Sequence, residues 1–232
     1  MLNNLFSAEV LQETLSIVQG QFLLAFWETL YVTIAAMFFA VVIGLPLGVI
    51  LVVGEKGGLA PLPGWLMKTI NVIINLLRSV PFLILMILLF PFTRAVVGTV
   101  ASIVPLVVAA FPFVARLVES SLRELNPNII EMSRSMGASP MQTIIKVMIP
   151  EAMPSLISNA TIAITTILGY TAMSGIVGGG GLGKIAINYG YYRYKYLVML
   201  LAVILLIVIV QVFQSIGTHL SVKLDKRLKQ NH

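Results

Sequence analysis

The chain has 232 residues, 58% hydrophobic and only 10% charged, with a mean hydropathy of +0.98. A soluble domain carries roughly a quarter charged residues, so the composition excludes an ordinary soluble fold and predicts a membrane protein of spans and short loops. The net charge of +6 sits on residues flanking apolar runs, where it sets orientation rather than binding nucleic acid; with no Cys and only His219 and His232, disulfides and thiolate or histidine metal sites drop out as well.

Residues 1–26 are read as an N-terminal periplasmic segment and the start of the first helix. They carry Glu9 and Glu13 and lack the basic head and short apolar core of a cleavable signal. The first span runs from about 22 to 53, with Trp27 and Tyr31 as interface anchors. It exceeds the ~20 residues a bilayer core requires, so it tilts or extends beyond the lipid. Pro46, between Gly44 and Gly48, reads as a kink or a packing notch, and 54–64 as a turn-rich loop. A second span, about 69–90, holds Arg78 and then Ser79-Val80-Pro81. A short turn at 91–95 leads to a third span, about 96–118, with Pro105 and Pro112 inside. After a polar insert come a fourth span at about 152–177, a Gly-rich stretch at 178–183, and an aromatic-basic segment at 189–196. The fifth span, about 196–216, ends in a basic cytoplasmic tail, 220–232. The expectation is one membrane domain, 27–219, with no room for a nucleotide-binding domain.

Five spans put the termini on opposite sides. The N-terminal side carries four basic residues, Arg94, Lys184, Arg193 and Lys195. The other side carries ten: Lys56, Lys68, Arg116, Arg123, Arg134, Lys146 and the tail's Lys223, Lys226, Arg227 and Lys229. The excess of Lys and Arg predicts an outside N-terminus, with the polar insert and C-terminus in the cytoplasm.

The insert is I-E-M-S-R-S-M-G-A-S-P-M-Q-T-I-I-K-V-M-I-P-E, residues 130–151. Asn126-Pro127 has the form of an N-cap followed by proline at the first helical position. Gly137 has the form of the residue just past a helix end, where positive φ is needed. The helix between them, of about ten residues, is half the length of a span. Leu125, Ile129, Met132 and Met136 share one face, with Asn128, Glu131 and Ser135 elsewhere. Ser139-Pro140-Met141-Gln142 then predicts a capping box opening the next helix. Two capped helices joined at a glycine form a stiff elbow.

Several chemistries are set aside. Residues 178–184 fit G-x-x-x-x-G-K, but a phosphate loop needs a preceding strand and a Ser or Thr after the lysine; Ile185 stands there. A flexible or a tightly packed outer loop is expected instead. Ala172-Met173-Ser174-Gly175 has no histidine at its depth, since His219 falls at the other end of the fifth span, so nucleophilic catalysis is not expected. No span holds a carboxylate pair for a proton or sodium relay. Arg78 is either a functional intramembrane charge or a snorkelling interface residue. The polar run Asn159, Thr161, Thr165, Thr166, Tyr170 and Ser174 either lines a wet cavity or joins helices, often through their backbone.

Glu131, Gly137 and Val147-Met148-Ile149-Pro150 reproduce the spacing E-A-A-x3-G-x9-I-x-L-P. The insert thereby resembles the cytoplasmic coupling loop of permease subunits in binding-protein-dependent ABC importers. It departs from that pattern at Met132, Ser133, Val147 and Ile149, all small or apolar replacements. W-E-T-L at 27–30, I-G-L-P-L-G-V at 43–49, R-S-V-P-F at 78–82, P-F-T-R at 91–94, G-G-G-G-L-G and Y-G-Y at 189–191 extend the likeness over about 27–219. They make the chain similar to permeases of methionine importers, the MetI type.

The resemblance implies an all-α, five-helix membrane protein of the type I ABC importer permease fold. It implies a multi-pass inner-membrane subunit of bacteria that is not itself an enzyme. Its partners would be a second copy, two cytoplasmic ABC ATPase subunits and a periplasmic substrate-binding lipoprotein. ATP and magnesium would sit on the ATPase, with no cofactor in this chain. Methionine, D- or L-, would be the solute. Ile129, Glu131, Met132, Ser133, Met136, Gly137, Ala138, Ile149 and Pro150 would couple to the ATPase. Arg78, Asn159, Thr166, Tyr170, Met173 and Ser174 are the candidates for the route. An ABC permease for another amino acid or small organic solute is the nearest alternative; a secondary transporter is more remote, since neither an inverted repeat nor intramembrane ion ligands are visible.

Overall fold

The computed structural model describes residues 7–93 and 99–225. The expectations that rest on Arg94, Ala95, the start of the third span, and tail residues Lys226, Arg227, Lys229 and His232 lie outside the described residues. All regular structure among the described residues is helical.

Helix α1 (Ala8–Ile17) opens where the Ser7 hydroxyl accepts from the Val10 N–H. A π-turn at Val18–Phe22 joins it to α2 (Leu23–Val53), so the helical run extends without a break over Ala8–Val53. The helix therefore starts well before residue 22, because 8–17 are mostly good helix formers, and at 46 residues it is longer than a bilayer core requires. Helix α2 passes through Pro46 unbroken, and the two glycines flanking that proline form a packing notch. A Cβ on Gly48 would lie 2.6 Å from the Ala115 carbonyl oxygen and 2.6 Å from Val118 Cβ; one on Gly44 would lie 2.9 Å from the Phe111 carbonyl oxygen. Glycine here lets two backbones approach directly. Gly48→Ala is expected to destabilise the protein by about 1–3 kcal/mol, read as a lower melting temperature in detergent. Gly20→Ala, with nothing within 4 Å of the new Cβ, is the control and should leave the melt in place.

The second span is not one helix. Helix α3 (Gly64–Ser79) ends, Val80 is extended at φ −77° and ψ 124°, and α4 (Phe82–Thr93) begins after Pro81. Proline disfavours helical dihedrals in the residue before it, which is why the break falls at Val80. At the other end, α4 continues through Pro91 to Thr93, where a turn was expected.

A 3₁₀ turn at Thr99–Ser102 leads into α5 (Ile103–Arg123), which runs past residue 118. Short helices α6 (Pro127–Ser135) and α7 (Pro140–Thr143) follow, and a π-turn at Ile144–Met148 feeds α8 (Ile149–Ser174). The chain closes with α9 (Gly181–Ile185), a π-turn at Ala186–Tyr191, and α10 (Tyr196–Leu224). Among the described residues, four runs are long and apolar enough to cross a membrane: Ala8–Val53, Thr99–Arg123, Pro140–Ser174 and Tyr196–Leu224. The broken pair α3–α4 makes a fifth if counted as one span.

The helices gather into two compact units. One comprises the described parts of Met1–Met37, Pro81–Val107 and Ile164–Val212. Leu106, Ile167, Leu182 and Val198 are fully buried in it. Here the Gly-rich stretch is packed tightly. The Gly181 N–H donates to Glu28 Oε2 at 2.7 Å, the Leu182 N–H to Thr29 Oγ1 at 2.9 Å, and Thr99 Oγ1 to Glu28 Oε1 at 2.9 Å. The Glu28 carboxylate thus ties the Gly-rich stretch to α2. Nearby, Lys195 pairs with Glu13, Gln21 donates to the Tyr189 hydroxyl at 2.8 Å, and the Arg193 guanidinium lies 4.9 Å above the Tyr189 ring.

The other unit comprises the described parts of Phe38–Val80, Val108–Ala163 and Phe213–His232. Its core packs Leu51, Met67, Ile74 and Ala115 together. A charged cluster ties α5 to its neighbours. Glu119 accepts from Arg116 at 2.6 Å and from Arg123 at 2.9 Å, and Arg123 reaches Glu55 at 2.5 Å. Arg116 Nη2 also donates to Asn71 Oδ1 and Asn75 Oδ1 on α3, at 2.8 and 2.9 Å.

Candidate functional site

The elbow is built from local chemistry. Asn126 Oδ1 accepts from the Asn128 N–H at 3.0 Å, capping α6 with Pro127 at its first position. Gly137 stands at φ +80°, and its N–H and those of Met136 and Ala138 return to carbonyls of Arg134, Met132 and Ser133. Ser139 and Gln142 close a reciprocal capping box at the start of α7. Ser133 and Thr143, both buried, share a hydroxyl hydrogen bond of 3.1 Å that staples α6 to α7. Two short helices are thereby held at a fixed angle by contacts on both sides of the glycine.

What the elbow presents outward is methionine set among polar and charged residues. Met132 is 61% exposed, Met136 81% and Met141 64%. Leu125, expected on the same face, is buried, and Ile129 is half-buried, so only the distal part of that face is free. Glu131 and Arg134 are exposed beside the methionines, while Met148 is buried and Ile149-Pro150 opens α8. A small cavity of about 230 Å³ lies behind α6, lined by residues that include Val53, Gly58, Ile130 and Met148. Soft, adaptable methionines on a stiff frame suit docking into another protein's groove.

The route candidates differ in what their side chains do. Asn159 Nδ2 donates to the Leu117 carbonyl at 3.2 Å and to Ser121 Oγ at 2.8 Å, joining α8 to α5. Ser174 is buried and donates to the Thr171 carbonyl at 2.7 Å. Tyr170 stacks on Phe82 at 4.4 Å with ring planes 9° apart. Thr166 is half-buried, and Met173 is 47% exposed. Arg78 is exposed in the last turn of α3. Two residues outside the candidate set, Asn71 and Asn75, lie in hydrogen-bond contact with Arg116. Their signal in the sequence is the recurrence of polar positions 68, 71, 75, 78 and 79 along a helix that, apart from Thr69, is otherwise apolar.

Residues 44–226 match the family model described as "Binding-protein-dependent transport system inner membrane component". The "Probable D-methionine transport system permease protein MetI" of Vibrio cholerae is 47% identical over 210 residues, covering 88% of this chain and 92% of the relative. The "D-methionine transport system permease protein MetI" of Escherichia coli K12 is 49% identical over 153 residues, covering 64% and 70%. Among solved structures, an inward-facing MetNI methionine ABC transporter chain superposes with a TM-score of 0.87 at 43% identity, covering 90% of this chain and 98% of that one. An amino acid ABC transporter chain at 20% identity has a TM-score of 0.69 and shares the fold.

Proposed function

Because the chain belongs to the family of binding-protein-dependent transport system inner membrane components, we propose that it is the membrane-spanning permease of an ATP-driven methionine importer. It is a multi-pass inner-membrane subunit and carries no ATPase of its own. It works as a homodimer with two cytoplasmic ABC ATPase subunits, and a periplasmic lipoprotein delivers the solute. ATP and magnesium act on the ATPase, and this chain supplies the path and the lever.

The observation that carries the reading is the elbow. A nine-residue helix capped at both ends, too short to span and stapled to its neighbour, offers exposed methionines to a partner. Closure of the ATPase pair would pull on Met132, Met136 and the flanking Glu131. The rigid turn at Gly137 and Ala138, with Ser133 pinned, passes that pull toward α8 at Ile149 and Pro150. Arg78, Asn159, Thr166, Tyr170, Met173 and Ser174 remain the candidates for the route itself. The excess of Lys and Arg on the insert's side supports an outside N-terminus and a cytoplasmic C-terminus.

Proteoliposomes test this directly. Permease with its ATPase and binding protein is expected to accumulate labelled methionine only with ATP on the ATPase side. Uptake by the permease alone, driven by an ion gradient, would overturn the reading and favour a secondary transporter. Stimulation of ATP hydrolysis by another amino acid, but not by methionine, would leave the permease role and change the solute.

A further inference from the structure

The geometry points to α3 as the wall that handles the solute's charged end: Asn71, Asn75 and Arg78 face a water-filled route, and Arg78 receives the carboxylate of a small zwitterion. This rests on the permease reading and specifies how one class of solute is recognised along it.

Helix α3 has three distinct sides. Met67 and Ile74 are buried in the core of their unit. Trp65, Val72, Ile73 and Leu76 are exposed and apolar, and Thr69 among them turns its hydroxyl back to the Trp65 carbonyl at 2.9 Å, as a lipid-facing surface allows. Lys68, Asn71, Asn75, Arg78 and Ser79 recur at spacings of three or four and one, so they form a third stripe along a single face. Lys68, Asn75, Arg78 and Ser79 on that stripe are exposed. Lipid does not tolerate such a stripe: a guanidinium at mid-bilayer costs ~3 kcal/mol or more. Where α3 and α4 are counted as one broken span, Arg78 falls next to the break between them and not at an outer end. The stripe therefore meets water or protein.

The charges say what it meets. Arg116 of α5 stands behind the stripe, and its charge is matched by Glu119 at 2.6 Å. Its Nη2 draws in the side-chain oxygens of Asn71 and Asn75, and Asn71 Nδ2 is held by the Met67 carbonyl at 2.9 Å. One turn further, Arg78 has no carboxylate partner among the described residues. An uncompensated guanidinium beside an exposed amide is a receptor for a carboxylate, which it grips with two parallel N–H donors. An amino acid crossing the membrane has such a group to satisfy. By contrast, Asn159 and Ser174 on α8 already donate to partners within the chain.

The chain contains no cysteine, so a single introduced thiol reports without background. Asn71→Cys, Asn75→Cys and Arg78→Cys are compared with Ile73→Cys and Leu76→Cys in the permease–ATPase complex in membranes. The probe is a charged, membrane-impermeant thiosulfonate. Only thiolate reacts, and thiolate forms in water, so 75 and 78 are expected to label at least about tenfold faster than 73 and 76. Saturating methionine should slow labelling of Asn75→Cys, and methioninamide, which lacks the carboxylate, should not. Adding Arg78→Gln should abolish the protection while labelling persists. Equal labelling on the polar and apolar sides overturns the wall. Equal protection by methionine and its amide overturns the carboxylate assignment. Polar-side thiols that stay unlabelled with or without solute mean that a second copy covers the stripe, which also overturns it. If the wild-type complex still imports methionine in those cases, the permease reading stands apart from this one; if it does not, the permease reading itself has failed.

Discussion

Replacing Met132 and Met136 together by Arg is expected to strip the ATPase from the permease and abolish ATP-dependent uptake, while the membrane helices still fold. Both side chains are mostly exposed, Met132 on α6 and Met136 at its C-cap, and neither makes the hydroxyl bond that staples the elbow. Their loss therefore costs the permease itself little. In the complex they would be central apolar anchors, and such positions are worth ~2 kcal/mol or more each. Two of them correspond to roughly a thousandfold in affinity, before counting the cost of burying two guanidinium groups. Co-purification in detergent checks it, with melting temperature as the control for folding. Unchanged co-purification with unchanged uptake would sink the elbow as the docking element. Ser133→Ala, which cuts the hydroxyl staple to Thr143 but leaves both methionines, should keep the ATPase bound and weaken transport, because the lever loosens.

Glu119→Ala should be the most damaging change to the stability of the permease alone. The carboxylate is nearly buried and serves two arginines, Arg116 at 2.6 Å and Arg123 at 2.9 Å. Arg123 keeps Glu55, but Arg116, with its side chain only 20% exposed, has no second carboxylate among the described residues. Removing one partner of a buried pair typically costs ~3 kcal/mol or more, since the remaining charge stays desolvated. The loss also frees Arg116 from its position against Asn71 and Asn75. A fall in melting temperature should follow, smaller for Glu119→Gln, which retains an acceptor. Glu55→Gln breaks only a half-exposed pair and should shift stability by about 1 kcal/mol or less. A Glu119→Ala protein that melts with the wild type would show that Arg116 is solvated, not held by its counter-ion.

The parts legible in the sequence were those whose partners lie within a few residues. Asn126 caps Asn128, Ser139 and Gln142 close a box, and Gly137 takes positive φ at the helix end. Each is a contact between near neighbours, so residue type and spacing suffice. The break at Val80 was marked by Pro81 yet masked by the apolar run around it, because hydropathy counts composition and not backbone hydrogen bonds. The π-turns at Val18–Phe22, Ile144–Met148 and Ala186–Tyr191 carried no comparable signal. The hydroxyl run on α8 divided in a way that spacing could not show: Asn159 finds a carbonyl 42 residues earlier in the chain.

Sequence alone determined that this is a membrane protein of several apolar spans, four or five in the structure, with a capped, charge-bearing elbow, since hydrophobic run length and helix capping are properties of short windows. Tertiary structure alone decided which polar groups are used up and which remain available. Arg116 is neutralised by Glu119 and held against two asparagines of another helix, Glu28 closes the Gly-rich turn, and Arg78 is left without a counter-charge among the described residues. The physical reason is that a polar group in a low-dielectric interior is defined by its partner, and these partners come from distant parts of the chain.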